Sequence, residues 1–249
     1  MNLTLPFTCK LVLFLSLFVG CSTAPKVFFK DTVDTETKSI RYQSKRTFTF
    51  ADSGVSFSNQ FEGARLNSVD QLNDSVYIVT ILPENEPINH SPYYAFDVWS
   101  SSPKEITLKF KYPEQYKHRY VPKIKSNGTW SVADSLTFQF DKNFSSFKLQ
   151  INPTAKTVSG QELHTSSVVY SWVDQLIEGK ESFVRSKTIG KTKLKRPFRV
   201  LDIYKGSPKN KPVLVLLTRQ HPPEVTGYFA FQAFLSTILE ENKLASSFL

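Results

Sequence analysis

The sequence predicts an antiparallel β-sandwich followed by the beginning of an α/β domain. Three patterns support this fold class: alternating runs between residues 46 and 151, helical spacing near residue 170, and an apolar run at 213–217. Alternation of period two is typical of half-buried strands, whereas spacings of three and four residues are typical of an amphipathic helix. We therefore expect a sandwich over residues 46–158 and an α/β part over residues 160–249.

The strands of the first part are short and separated by turn residues. Residues 105–111 alternate strictly between polar and apolar side chains, and residues 136–140 and 147–151 alternate in the same way. Asn127-Gly128 and Asn152-Pro153 are among the turn signals between the runs. Several short strands at this spacing favour an antiparallel sandwich.

The second part begins with a predicted helix. Val169, Trp172, Val173 and Leu176 fall on one helical face, and Gly179 is placed to end the helix. Ser166 or Ser167 is the expected N-terminal cap, since a hydroxyl can accept a backbone hydrogen bond there.

Two strands and a second helix follow. Residues 199–204 are predicted to form a strand, and the continuous apolar run 213–217 is predicted to be a strand buried on both faces. Residues 225–241 have helical length and share an apolar face. Pro222 and Pro223 suit the start of that helix, where a missing N–H does no harm.

Composition limits the chemistry that is available. The chain has 249 residues, a formal net charge of +9, and two cysteines, both in the first 21 residues. This excludes a disulfide framework, a cysteine-based zinc site and a cysteine nucleophile in the remainder. A metal site must therefore use carboxylates and the four histidines, which are His90, His118, His164 and His221.

The N-terminus predicts export. Residues 1–20 have the charge and the short apolar core of a signal peptide, and Phe18-Val19-Gly20-Cys21 resembles a bacterial lipobox. Lipid attached to Cys21 would anchor the chain to a membrane in the bacterial cell envelope, at the outer membrane or the periplasmic face, with residues 21–45 as a tether. An ordinary secretory signal is the alternative.

Basic residues are concentrated in two stretches. Residues 104–125 contain seven Lys or Arg against two Glu, and residues 180–199 contain eight against one. We interpret both as solvated basic faces, with lipid headgroups or anionic cell-wall polymers as the alternative contacts. Nucleic acid is not an expected partner, because the signal peptide exports the protein.

His221 and Glu224 are the candidate metal ligands. They are three residues apart, between the predicted strand 213–217 and the following helix, so both side chains should point to the same side. A histidine nitrogen and a carboxylate oxygen are good zinc ligands. The alternative is a histidine at a helix start with a glutamate that favours the positive end of the helix.

The segment Thr218-Arg219-Gln220-His221-Pro222-Pro223-Glu224, after an apolar run, resembles the first zinc motif of the carboxypeptidase A-like zinc metallocarboxypeptidases. It is most similar to the branch that includes the cytosolic carboxypeptidases. Residues 169–177 resemble the first helix of that catalytic domain, and residues 189–198 resemble the segment that leads into its first strand. That branch also has an N-terminal β-sandwich.

The resemblance implies a function. It implies a zinc ion held by His221, Glu224 and a distal histidine, a distal glutamate as general base, and peptides with a free C-terminus as substrates. No residue after Glu224 matches the distal histidine or the catalytic base. We therefore expect the N-terminal portion of a longer enzyme, with weak zinc binding and no peptidase activity as a 249-residue chain.

A second hypothesis stays open. The chain could be a lipid-anchored β-sandwich binding protein for a glycan or a protein partner. Translating the nucleotide sequence beyond codon 249 separates the two, because the enzyme requires a continuation with an arginine, a histidine and a glutamate. Of the other histidines, we expect His164 to be a capping or surface residue and His118 to be solvated.

Overall fold

The computed structural model describes residues 40–84, 93–114, 116–140 and 145–249. The predicted signal peptide, Cys21 and most of the predicted tether lie outside these residues. The described part is rich in β-structure, with thirteen strands and three α-helices. None of these helices has the length and apolar character needed to cross a bilayer.

The first sheet contains six strands in the order β1-β2-β5-β11-β7-β8. Every pairing in it is antiparallel. The last of these strands in the chain, β11, lies between β5 and β7. The strands are β1 (Thr47–Phe50), β2 (Val55–Ser58), β5 (Ala95–Ser100), β7 (Lys123–Ser126), β8 (Thr129–Val132) and β11 (Lys156–Ser159).

The second sheet contains five strands in the order β3-β4-β6-β10-β9. Its β4 and β6 pair in parallel, which corrects the expectation of a wholly antiparallel arrangement. The reason is the path of the chain, since β5, between them in sequence, belongs to the other sheet. The strands are β3 (Ser68–Asn73), β4 (Val76–Thr80), β6 (Lys104–Lys111), β9 (Gln139–Phe140) and β10 (Ser145–Ile151).

Side chains from both sheets share one hydrophobic core. On β6, Ile106, Leu108 and Phe110 are fully buried, as their alternation predicts. Burying a side chain of this size stabilises the fold by about 1.5–3 kcal/mol. We call residues 47–159 the two-sheet region. Its core also includes Val55, Phe57, Leu66, Tyr77, Val79, Ile81, Tyr94, Phe96, Val98, Phe147, Ile151 and Val158.

Two details of this region differ from the predictions. Residues 136–140 do not form one strand: Ser135–Thr137 is a 3-10 turn capped by Asp134, and Leu136 is 90% exposed. His118 is half-buried rather than solvated. Its ring packs against Phe110 and Tyr94, with centroid separations of 4.8 and 5.5 Å.

The remainder of the chain begins with helix α1 (Ser166–Ile177). The hydroxyl of Thr165 caps it by accepting from the backbone N–H of Val168, so the expected cap at Ser166 or Ser167 is wrong by one or two residues. The helix ends as predicted, because Gly179 adopts a positive φ of 74°.

An antiparallel hairpin and two more helices follow α1. The hairpin strands are β12 (Val184–Lys191) and β13 (Pro197–Ile203). The helices are α2 (Val225–Ile238) and α3 (Lys243–Phe248). A second hydrophobic cluster joins α1, the hairpin and α2, and its members include Trp172, Leu176, Val184, Leu201, Phe231, Leu235, Ile238 and Leu239.

The predicted buried strand at 213–217 is wrong. These residues form no strand, and their side chains are between 45% and 87% exposed. A strand becomes buried only when neighbouring strands bond to its backbone, and β12 and β13 bond only to each other among the described strands. The apolar run lacks those neighbours here.

Candidate functional site

His221 and Glu224 lie in the turn that precedes helix α2. The backbone N–H of Glu224 donates to the carbonyl oxygen of His221 at 3.2 Å, and Glu224 is the N-cap residue of the helix. Pro222 and Pro223 lie within the turn, and the helix begins immediately after Glu224. The turn thus folds back far enough to bring the two side chains together.

The two side chains are in direct contact. Nδ1 of His221 lies 2.5 Å from Oε1 of Glu224, and the backbone N–H of His221 donates to Oε2 at 3.0 Å. The hydrogen bond from His221 is the main cause that lowers the pKa of the Glu224 carboxyl group. Both side chains are about half exposed, so an ion from solvent can reach them.

Arg219 holds this turn against the segment that precedes helix α1. Its guanidinium donates to the carbonyl oxygen of His164 and, at 3.2 Å, to that of Pro222. It also lies over the ring of Tyr228, 6.0 Å from the centroid. Burial lowers the pKa of Arg219, as expected for a cation that is partly removed from water.

His164 contacts helix α2 with its ring. The ring packs on Tyr228 and Phe229 with centroid separations of 5.0 and 5.1 Å. Burial, followed by the nearby Arg219 cation, lowers the pKa of His164. His164 is neither the capping nor the surface residue that was expected, since Thr165 caps α1 and the His164 side chain is only 16% exposed.

A cleft of about 1180 Å³ adjoins the turn. His221, Pro222 and Arg219 line one side, and residues 60–65 of the two-sheet region line another. Four cations and two carboxylates border it: Lys45, Arg65, Arg196, Arg219, Glu62 and Glu84. Residues 40–249 form one compact unit, so both sides of the cleft belong to the same body.

Sequence reasoning missed the part of the cleft contributed by the two-sheet region. Arg65 is 6% exposed and donates to the backbone oxygen of Leu82 and to Glu84. No motif marks residues 60–65, because their proximity to His221 arises only from the tertiary fold. Arg219 carried a weak signal through its position two residues before His221 in the quoted motif.

The donor set of the turn fits zinc in kind but is incomplete. Imidazole nitrogen and carboxylate oxygen are both common zinc ligands, and catalytic sites use three protein ligands. Within the described ranges no group of three or more His, Cys, Asp or Glu residues is placed to hold a metal ion. The assignment of His221 and Glu224 as ligands stays a prediction.

Comparison with known protein families gives one match. Residues 169–249 match the family described as zinc carboxypeptidase. This segment is similar in sequence to that family. The predicted metallocarboxypeptidase resemblance is thereby confirmed, whereas the cytosolic carboxypeptidase-like branch stays a prediction. A search among curated proteins finds no match.

Solved structures resemble a larger part of the chain. A metallo-carboxypeptidase from Burkholderia cenocepacia is 11% identical over 76% of this chain and 50% of its own, with a TM-score of 0.63. A putative carboxypeptidase A from Shewanella denitrificans is 15% identical over 78% of this chain and 51% of its own, with a TM-score of 0.63.

A third similar structure was solved with a small molecule. It is a metallo-carboxypeptidase from Pseudomonas aeruginosa in complex with (2-guanidinoethylmercapto)succinic acid, 15% identical, with a TM-score of 0.61. It is matched over 75% of this chain and 50% of its own. The similarity in fold to these three structures thus extends beyond the matched segment into the two-sheet region, and the chain spans about half of their length.

Proposed function

We propose that this chain carries part of a zinc-dependent carboxypeptidase site, in which His221 and Glu224 are two of the zinc ligands. The observation that supports this most directly is the 2.5 Å separation of His221 Nδ1 and Glu224 Oε1 at the start of α2. The pair lies within the segment that matches the zinc carboxypeptidase family. A site built for metal needs both donors on the same side and within reach of one ion, and this turn provides that.

The residues of the turn would prepare the ligands for the metal. The hydrogen bond between His221 and Glu224 must open when both donate to an ion, and it keeps them together until then. The lowered pKa of Glu224 keeps the carboxylate ionised, which is the form that binds metal. Zinc supplies, when bound, the Lewis acidity that activates water and polarises a carbonyl group.

The proposed substrates are peptides with a free C-terminus. The cleft beside His221 is large enough to admit an extended peptide end, and four of its charged side chains are cations. Arg65 and Arg196 are already paired with Glu84 and Glu62, so it is the excess of cations over carboxylates around the cleft that attracts a terminal carboxylate.

For the chain by itself we propose weak zinc binding and no hydrolysis. Two protein donors hold zinc less tightly than the three that catalytic sites use. Among the described residues, no third His, Cys, Asp or Glu joins His221 and Glu224 in a group that could hold a metal ion.

The placement in the cell is also a proposal. We propose that lipid on Cys21 anchors the protein in the bacterial cell envelope, with a β-sandwich over residues 46–158 and an α/β part over residues 160–249. The short apolar core before Cys21 and the lipobox-like residues support the anchor. Labelling of growing cells with a radioactive fatty acid tests it, since Cys21→Ser should abolish the incorporated label.

Titration with Co²⁺, which reports on coordination through its visible absorption, tests the metal site in the purified chain. We expect binding that weakens about tenfold or more in His221→Asn and in Glu224→Gln, because each change removes one donor. Glu114→Gln is the matched control, since Glu114 is an exposed carboxylate in the two-sheet region. Equal binding by all variants would exclude His221 and Glu224 as ligands.

A peptidase assay tests the second part of the proposal. The purified chain is incubated with zinc and a blocked dipeptide that has a free C-terminus, and the released amino acid is measured. We expect no release above the level of the His221→Asn variant. Release that depends on both zinc and His221 would show that the chain is itself an active enzyme.

A further inference from the structure

The closed end of the β12–β13 hairpin is exposed, although Arg196 and Leu194 there also border the cleft beside His221. Near its open end, Val184 and Leu201 belong to the cluster with Trp172 of α1. Toward its closed end the register shifts between Thr188 and Gly190, and all residues from 189 to 198 are exposed. We call residues 189–198 the hairpin tip.

The hairpin tip is strongly cationic. It contains Lys191, Lys193, Lys195 and Arg196 and no acidic residue. Arg196 pairs with Glu62 of the two-sheet region, which holds one side of the tip in place. The three lysines form no ion pair with any residue that the structure describes, so their charge is available to an external anion.

Large apolar side chains lie between these cations. Ile189 is 61% exposed, Leu194 57% and Phe198 51%. A surface that only needs to be soluble gains nothing from exposing three large apolar groups within ten residues. Cations interleaved with exposed apolar side chains are instead the composition of protein surfaces that lie in a lipid headgroup layer.

We propose that the hairpin tip binds the surface of a membrane that contains anionic lipids. Lys191, Lys193 and Lys195 would contact the headgroups, while Ile189 and Leu194 enter the boundary with the acyl chains. Nucleic acid is a poorer fit, because single strands are bound largely through aromatic stacking and two of the three apolar groups here are aliphatic. The proposal is independent of zinc binding by His221 and of lipid attachment at Cys21.

A fluorescent label on the tip tests the proposal. The only natural cysteines are Cys9 and Cys21, so changing both to Ser allows a single Cys to be introduced in the full chain. An environment-sensitive dye is attached at Leu194→Cys. The matched control carries the dye at Leu136→Cys, which is 90% exposed on the two-sheet region. Circular dichroism checks that both labelled chains are folded.

Phosphatidylglycerol and phosphatidylcholine vesicles supply the comparison. With mixed vesicles we expect a blue shift of the dye at 194 and none at 136, and the shift should disappear at an ionic strength of about 0.5 M because salt screens the lysines. The proposal is overturned if position 194 shows no shift, if both positions shift equally, or if pure phosphatidylcholine gives the same shift. A shift that requires nucleic acid instead of lipid would also overturn it.

Charge reversal adds a second test. We expect the triple variant Lys191→Glu, Lys193→Glu, Lys195→Glu to weaken vesicle binding of the tip about a hundredfold. The reason is that each lysine near an anionic surface adds a similar part of the membrane affinity, and all three parts are lost. The control variant Lys111→Glu, Lys117→Glu, Lys209→Glu changes the net charge by the same amount at exposed positions elsewhere. Equal weakening in both variants would mean that net charge, rather than the hairpin tip, governs binding.

Discussion

His118 shows how burial changes the chemistry of one side chain. Its Nδ1 lies 2.9 Å from the hydroxyl of Tyr112, and its Nε2 lies 2.5 Å from the carbonyl oxygen of Tyr120. Aromatic rings of Tyr94 and Phe110 surround the imidazole. Burial lowers the pKa of His118 from 6.5 to about 4, because the charged form would lose its hydration.

The stability of the protein should therefore depend on pH through His118. The folded state resists protonation of His118 while the unfolded state accepts it, so the contribution of this residue is fully present above pH 6.5 and is lost as the pH falls to about 4. We expect a loss of about 3 kcal/mol in the free energy of unfolding across this range. Urea denaturation at a series of pH values measures it.

The variant His118→Phe is the control for this prediction. It keeps an aromatic ring in the cluster but removes the titrating group, so the pH dependence between 6.5 and about 4 should become shallower. A variant with the same slope as the natural chain would show that other groups cause the pH dependence.

Arg219 combines a useful side chain with an unfavourable backbone. Its φ is 51°, in the left-handed region that residues with a Cβ rarely adopt. The guanidinium contacts with His164 and Pro222 stabilise the turn in this conformation. The left-handed backbone costs about 1–2 kcal/mol for a residue other than glycine.

Two substitutions at this position should separate the backbone from the side chain. Arg219→Ala removes the guanidinium and keeps the backbone cost, whereas Arg219→Gly removes both. We expect both variants to be less stable than the natural chain, with the glycine variant more stable than the alanine variant by about 1 kcal/mol. Thermal unfolding compares them, and an alanine variant at least as stable as the glycine variant would contradict the strained backbone.

At the scale of elements, the residue requirement of the turn between β7 and β8 comes from its backbone conformation and not from packing. Asn127 and Gly128 have φ values of 49° and 82°, the positive pair that a tight hairpin turn requires. A Cβ added at Gly128 would have no neighbour within 4 Å, so space does not restrict this position.

Gly128→Ala should therefore destabilise the protein by about 1 kcal/mol without any steric clash. The matched control is Gly190→Ala, also in open space but without a positive φ, and it should be neutral or slightly stabilising. Urea denaturation of both variants decides the question. Equal effects at the two positions would contradict the backbone explanation.

Local patterns predicted individual elements well and their arrangement less well. The strand β6, the helix α1 and its end at Gly179 follow from alternation, helical spacing and turn chemistry. The parallel pairing of β4 with β6 does not, because it depends on which sheet receives the intervening strand. The strand predicted at 213–217 is wrong for a related reason. Hydrophobicity indicates a tendency to be buried, but a strand also needs neighbouring strands that bond to its backbone.

In the candidate site, too, local contacts could be predicted from the sequence and contacts between distant segments could not. The spacing of His221 and Glu224 predicted their proximity, because three residues across a turn leave few other arrangements. The cleft could not be predicted, since residues 60–65 are far from His221 in sequence. The burial of His118 also depends on distant strands.

At the scale of the whole molecule, the exposed run 213–217 is a surface prone to association. It combines five apolar residues in sequence, two of them valines with high β-propensity, and carries no charge. Exposed segments of this kind pair with other chains through their free backbone groups.

The double variant Val213→Lys, Val215→Lys should therefore reduce self-association of the purified chain, because charges on an exposed strand-like segment oppose pairing. Sedimentation velocity at increasing protein concentration measures it. Leu136→Lys is the control, since Leu136 is equally apolar and 90% exposed but lies alone in a polar turn. If the control reduces association as much, general solubility rather than the run 213–217 is responsible.

The central position of β11 has a consequence for biosynthesis. β11 bonds to β5 on one side and to β7 on the other, yet it is made after both. Until residue 159 has been made, the six-stranded sheet lacks its middle strand. Its two halves, β1-β2-β5 and β7-β8, then have no strand between them that hydrogen-bonds to both. In the export that we propose for this chain, we expect the polypeptide to stay unfolded for most of its passage through the channel, because the strand that closes the sheet arrives last.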